Sequence, residues 1–397
     1  MTKRVLLFST ALALLMCGTV SALAQGRQEV GKVRAYNAES PHPYPQGRSD
    51  RSVVWVDTIV SPSATFVRVH FKGFHLAPGD YITVSNPDGS EFWTYTDRGP
   101  NGDGDFWAFA VNGDTAVVAI HGGLRGGYGY RIDAIGHGTV DIGRRPTPTP
   151  EVVCGTDGRE DIACYQSDPG IDAAQRPVAR LLFQSGPSLY VCTGELVRGS
   201  NNSTMITNSH CFSTQTEVNT VQASFNYQRT TCGGSTNATV TDYAGGTLLK
   251  TNSERRKGNK GGLDYTLLTL QGNPEATWGE LIATTKPVSV GDLIWFIQHP
   301  GGNQKKIGYW EDAAHTVRCK VNTINATYGQ SAAGSQTGYG CDSEGGSSGS
   351  AITDPATGHI IALHHYGGVS SSPCLNSGTA MSKICADAGS LLQCASN

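Results

Sequence analysis

The stretch CDSEGGSSGSAI, residues 341–352, holds four serines and three glycines and then runs into an apolar segment. Polar Gly/Ser stretches are by default linkers or loop tips. One serine has a different prospect. Ser348, between Ser347 and Gly349, can sit on a tight turn with its hydroxyl presented. Gly346 leaves room for the backbone N–H groups of residues 346 and 348 to converge on a developing oxyanion. A serine hydroxyl is a weak nucleophile until a neighbouring base takes its proton. The stretch is therefore chemical only if a histidine and a carboxylate stand elsewhere in fitting contexts.

Both are present. MITNSHCF (205–212) places His210 after an apolar, strand-like run and directly before Cys211. Cys192 lies nineteen residues upstream in LYVCTGELV, and a Cys192–Cys211 disulfide would close a hairpin and pin the histidine loop. GGLDYTLLTL (261–270) puts Asp264 at the mouth of an apolar strand, where a carboxylate can fix an imidazole tautomer through the second ring nitrogen. Taken singly each is weak, since most histidines and strand-starting acids are ordinary. The chain order His210, Asp264, Ser348 is that of one triad architecture and not of others.

The rest of the composition limits the alternatives. The chain has 397 residues, a net charge of −3, 50 glycines and only 16% charged residues. That balance offers no basic face for nucleic acid and suits an all-β, turn-rich exported protein. Residues 1–24 read as a signal peptide: Lys3 and Arg4, an apolar core from Val5 to Met16, and ALA before Gln25. The apolar run is too short to span a bilayer, so a secreted protein (extracellular, or periplasmic in a bacterium) with no membrane partner is expected. Ten of the eleven cysteines lie after residue 150 and Cys17 leaves with the signal, an even set suited to disulfides. No Cys/His cluster has zinc spacing, and neither a metal nor a cofactor is expected.

That asymmetry marks a boundary. Residues 51–140 alternate apolar and polar residues between Asn-Gly, Asp-Gly and Pro-Gly turns, which predicts a β-sandwich over a 25–142 module. NGDGD (101–105) could offer calcium ligands through Asp103 and Asp105, although a hairpin turn is the commoner use. Trp93 and Trp107 belong to a core or to a stacking surface. GRRPTPTPEVV makes 143–153 an extended Pro/Thr linker, with Arg144-Arg145 as a processing point. Residues 154–397 form a second all-β region.

Residues 154–385 resemble the trypsin-like serine peptidases, and most closely the bacterial lysyl endopeptidase branch. The resemblance is carried by VCTGELV, ITNSHC, FNYQRTTC, LDYTLLTL, IQHPGGNQKKI, SEGGSSGS and the ALHHYGG…SSPC run. It implies a double β-barrel with the active site between barrels, and hydrolysis of protein or peptide substrates by a monomer. It assigns His210 as general base, Asp264 as its orienter and Ser348 as nucleophile, with the Gly346 and Ser348 amides as oxyanion hole. It also implies the pairs Cys154–Cys374, Cys164–Cys232 and Cys192–Cys211, with Cys319–Cys341 and Cys385–Cys394 as the remaining two.

Two departures stand out. The lysine-selecting acid of that branch falls near Thr379, where this chain has no Asp or Glu. Asp342, six residues before Ser348, occupies the pocket-floor position of ordinary trypsin-like enzymes and would favour Lys or Arg side chains. Ser343 and His365 could instead receive an acidic side chain, as in glutamyl-specific relatives. Ser347 replaces the Asp that animal zymogens pair with a freed N-terminus, so activation is expected through removal or displacement of the 25–150 segment. A catalytically silent binding protein and a β-sandwich adhesion or carbohydrate-binding protein are the competing functional classes.

Overall fold

The computed structural model describes residues 27–48, 52–141, 150–254, 261–368 and 374–396. The expected signal peptide with Cys17, and the 142–149 part of the linker with Arg144-Arg145, lie outside the described residues. Within them, no helix is long and apolar enough to cross a membrane.

Six strands close a first barrel. Val178–Ser185 pairs with both Gln222–Phe225 and Ser188–Leu196, and the circuit runs through Thr241–Asn252, Tyr265–Leu270 and Thr204–Thr207. The two-residue period sends Ala179, Leu181 and Phe183 inward, against Leu196, Met205, Phe212 and Leu268. An eight-stranded sheet from Arg159–Asp161 to Val321–Ala326 curves into the second barrel, which is open where the first is closed. A bridge between Leu293 and Lys320 brings its last strand back toward Trp295–Gln298. Phe296, Val321, Tyr339 and Ile352 fill its interior. Val178, Ile206 and Leu267 of the first barrel share one apolar cluster with Ile297, Ile360 and Leu363 of the second. The barrels are thus packed along a buried seam.

The N-terminal module is a β-sandwich. Ser52–Val60, Thr115–Gly122, Tyr81–Ser85 and Phe92–Thr96 form one sheet. Gln28–Glu39, Gly129–Gly138 and Phe66–His75 supply the other, with short additions at Asp105–Trp107 and Val111–Asn112. Phe71, Phe74, Ile82, Val118, Ile120 and Tyr130 lie between them. Trp107 is buried, and Trp93 packs edge-on against Phe109. In the NGDGD turn the Asp103 carboxylate accepts the Asp105 N–H at 3.0 Å, and Asp105 faces His70 at 3.0 Å.

The strand Gln28–Glu39 precedes the segments the alternation picks out, and it changes the architecture. Its first half pairs antiparallel with the barrel strand Ser188–Leu196, in the register Gln28 to Val191 and Lys32 to Ser188. Its remainder pairs with Gly129–Gly138. One eleven-stranded sheet therefore runs from the sandwich into the first barrel. Val30 and Phe66 of the module share an apolar cluster with Leu182, Leu189 and Val191 of the barrel. Edge strands carry unpaired N–H and C=O groups, and here the module covers one.

All five disulfides are formed: Cys154–Cys374, Cys164–Cys232, Cys192–Cys211, Cys319–Cys341 and Cys385–Cys394.

Candidate active site

His210 follows the first-barrel strand Thr204–Thr207, and Asp264 immediately precedes Tyr265–Leu270, which pairs with it. Thr207 stands opposite Thr266, so the two loops leave the same end of the barrel. His210 Nδ1 lies 2.6 Å from Asp264 Oδ2. Asp264 Oδ1 accepts the His210 backbone N–H at 2.9 Å and the Ser209 hydroxyl at 2.7 Å. The backbone of Asp264 takes φ +49°, a left-handed conformation that Asp tolerates better than most residues. Burial alone would push this carboxyl up. His210 beside it, and the hydrogen bonds from His210 and His365, hold it well below the usual carboxylate range. A carboxylate on Nδ1 requires the proton there and leaves the Nε2 lone pair free to act as a base.

Ser348 comes from the second barrel, three residues before the strand Ala351–Thr353. Its backbone is fastened to the first barrel through Thr193. The Thr193 N–H donates to Ser348 O at 2.9 Å, and the Thr193 hydroxyl donates to Gly346 O at 2.8 Å. Cys211 Sγ, in the residue after His210, is 4.0 Å from Ser348 O. Ser348 Oγ and His210 Nε2 are both buried atoms without a hydrogen-bond partner among the described residues. Buried polar atoms are usually satisfied, so both atoms are candidates for a partner that the protein itself does not supply.

The loop holding Ser348 admits few other sequences. Gly346 has φ +92°, and a Cβ there would meet Gly302 N at 2.8 Å and His299 O at 2.9 Å. A Cβ on Gly349, at φ +89°, would meet Thr193 O at 2.2 Å. Gly301 N–H donates to Gly345 O at 2.6 Å. The Ser347 hydroxyl donates to Gln298 Oε1 at 2.5 Å, so the residue that replaces the zymogen Asp is bound into the second barrel.

The three residues assigned to a substrate pocket are distributed differently from expectation. Asp342 does not present a free carboxylate to a pocket. Its Oδ1 accepts Cys154 N–H at 3.0 Å and its Oδ2 accepts Gly158 N–H at 2.8 Å. Burial pushes this carboxyl up against the opposing pull of those amides. Its structural work is to tie down the chain entering the second barrel. The Ser343 hydroxyl donates to Asn376 Oδ1 at 2.9 Å. His365 stands behind the candidate triad, its Nδ1 3.3 Å from Asp264 Oδ2 and its Nε2 2.6 Å from Gln336 Oε1. His364 occupies the opposite face of the strand, with Nδ1 2.6 Å from the Tyr339 hydroxyl.

Thr193, Gln336 and Glu254 were not singled out from sequence. Glu254 accepts a hydrogen bond from the Tyr366 hydroxyl and lies 3.5 Å from His365 Nδ1. It sits in the polar run NSERRKGNK, where nothing distinguishes one charge from its neighbours.

Two β-barrels joined along an apolar seam, with a His–Asp pair on the first and a glycine-framed serine on the second, define the chymotrypsin fold of serine peptidases. Residues 156–381 match the lysyl endopeptidase C-terminal domain family, more than half of the chain, and the protein belongs to that family. Secreted RxLR effector protein 73 of Plasmopara viticola is 26% identical over 356 residues, covering 84% of this chain and 82% of that protein. Among solved structures, the active form of the Rv3671c protease from M. tuberculosis aligns at 13% identity and a TM-score of 0.42, over 62% of this chain and 93% of that one. A Glu endopeptidase in complex with MPD aligns at 19% identity and a TM-score of 0.41, over 59% and 96%.

Proposed function

We propose that the protein is a secreted serine endopeptidase working through an acyl-enzyme on Ser348. The supporting observation is the pairing of His210 Nδ1 with Asp264 at 2.6 Å, while Nε2 and Ser348 Oγ have no partner among the described residues. In this reading Nε2 takes the Ser348 proton as Oγ attacks the scissile carbonyl. The Gly346 and Ser348 N–H groups receive the oxyanion. His210 then passes the proton to the departing amine, and water releases the acyl group by the reverse sequence.

The substrate is a protein or peptide met outside the cell by a monomer. Selection of Lys or Arg by Asp342 is not part of this reading, because both carboxylate oxygens are engaged by backbone amides. Cleavage-site profiling on a mixed peptide library is expected to show a broad or acidic preference before the scissile bond. A sharp Lys/Arg preference would refute it.

The decisive test is covalent labelling. The oxidised protein is expected to take up one organophosphonate per chain, and Ser348→Ala to take up none. A second reading, a secreted binding protein that keeps the fold without the chemistry, draws support from the effector name of the relative. An unlabelled wild type would decide for it.

The 25–142 module stays attached in this reading, which replaces the expectation of activation through its removal or displacement. Release would unpair Val191 to Ser188 and bare Leu182, Leu189 and Val191, all fully buried.

A further inference from the structure

The strand that docks the N-terminal module is aimed at the catalytic loops. Gln28 pairs with Val191, the residue before Cys192, which is disulfide-bonded to Cys211 beside His210. One residue earlier, Arg27 Nη1 donates to Cys211 O at 3.1 Å. The Arg27 guanidinium lies over the Tyr190 ring, 4.1 Å from its centroid. The Arg27 side chain keeps 28% of its surface exposed. A guanidinium carries five N–H donors, and among the described residues the bond to Cys211 occupies one of them.

The nearest anion does not use them up. Glu217 is 3.8 Å away, beyond hydrogen-bond reach, and is committed elsewhere. It accepts from Ser185 Oγ at 2.6 Å, from Ser213 N–H at 3.0 Å and from Thr214 N–H at 3.2 Å, where it closes a capping box. Burial would raise its carboxyl, but these donors hold it below its ordinary value.

The chemistry sets which half of a substrate passes this spot. The base that deprotonates the serine returns the proton to the departing amine. The residues beyond the scissile bond therefore leave along the His210 side, the side on which Arg27 is bonded to the Cys211 carbonyl and stacked on Tyr190. Resting on the peptidase reading, we propose that Arg27, contributed by the N-terminal module, is a specificity residue for the leaving half of the substrate. It favours a carboxylate within the first few residues after the scissile bond. That carboxylate is either an Asp or Glu side chain or the terminal carboxylate of a short leaving peptide. The module is then part of the substrate cleft, and not only a cover for a sheet edge.

The experiment compares quenched fluorescent peptides that share one sequence before the scissile bond. One pair carries Asp or Asn in the second position after it, and another pair ends there as free acid or as amide. The readout is the carboxylate-over-amide ratio of kcat/KM within each pair, which a general loss of activity leaves unaltered. For wild type the ratio is expected to be about 10- to 20-fold in at least one pair, the lower end of the range for a hydrogen bond to a charged group. Which pair shows it identifies the source of the carboxylate. Arg27→Lys is expected to retain most of the ratio, Arg27→Ala to bring it near one, and Arg27→Glu to invert it. Equal ratios in wild type, Arg27→Ala and Arg27→Glu would overturn the proposal while leaving the peptidase reading intact. A wild type that cleaves neither the peptides nor a p-nitroanilide, which has no residues beyond the scissile bond, would overturn both.

Discussion

Asp264→Asn is expected to lower kcat for peptide hydrolysis about 10⁴-fold at neutral pH with the fold preserved, the scale seen when such an aspartate is lost. The amide can keep its oxygen where Oδ1 accepts from His210 N–H and Ser209. Its NH₂ then replaces Oδ2 opposite His210 Nδ1, at the 2.6 Å contact. A donor there demands the lone pair of Nδ1 and drives the proton to Nε2, the atom that must accept from Ser348. The backbone gives no reason for collapse, because Asn tolerates the left-handed φ of +49° as Asp does. Stopped-flow or steady-state assay together with circular dichroism would check both halves. A variant retaining a tenth of wild-type activity would remove Asp264 from the catalytic unit.

The same substitution carries a pH signature with a definite sign. The Asp264 carboxyl sits well below its ordinary value in the folded protein. A depressed carboxyl contributes stability above the unfolded pKa, roughly 3.9, and that contribution is lost as pH falls below it. Thermal unfolding from pH 6 to pH 3 is therefore expected to show a steeper loss in wild type than in Asp264→Asn.

Deleting residues 25–142 is the second large effect. Leu182, Leu189 and Val191 are fully buried, and Val30 and Phe66 of the module share their cluster. Burying a Val or Leu side chain is worth about 1.5–3 kcal/mol, and three such exposures rival the roughly 5–15 kcal/mol net stability of a typical domain. The strand edge at Ser188–Val191 would be left open as well, a template for association. The shortened chain is expected to be aggregation-prone, with a melting temperature lower by about 10 °C or more where it remains soluble. Soluble yield, light scattering and thermal melts would measure this. A soluble 151–397 form of wild-type stability and higher activity would instead make the module a removable inhibitor.

Much of the candidate site was legible because each part is a local signal. Ser348 is framed by glycines whose missing Cβ atoms the close approaches at 346 and 349 require. His210 is followed by a cysteine, and Asp264 opens an apolar strand. The all-β architecture follows from two-residue alternation and turn residues, which need no partner to be recognised.

What escaped sequence reading depends on long-range placement. His364 and His365 are neighbours in one strand, Ile360–Tyr366, and a strand sends successive side chains to opposite faces. One therefore meets Tyr339 and the other meets Asp264, and a shift of one residue would exchange their roles. Asp342 has the spacing of a pocket-floor acid, yet the amides of Cys154 and Gly158 take its carboxylate from nearly two hundred positions away. The strand from Gln28 meets the barrel through backbone hydrogen bonds, which leave almost no mark on side-chain identity. The sequence by itself thus determined the fold class and the three stretches from which a catalytic unit could be built. Only the tertiary structure decided which side chains face that unit, because facing is set by register and by partners distant in the chain.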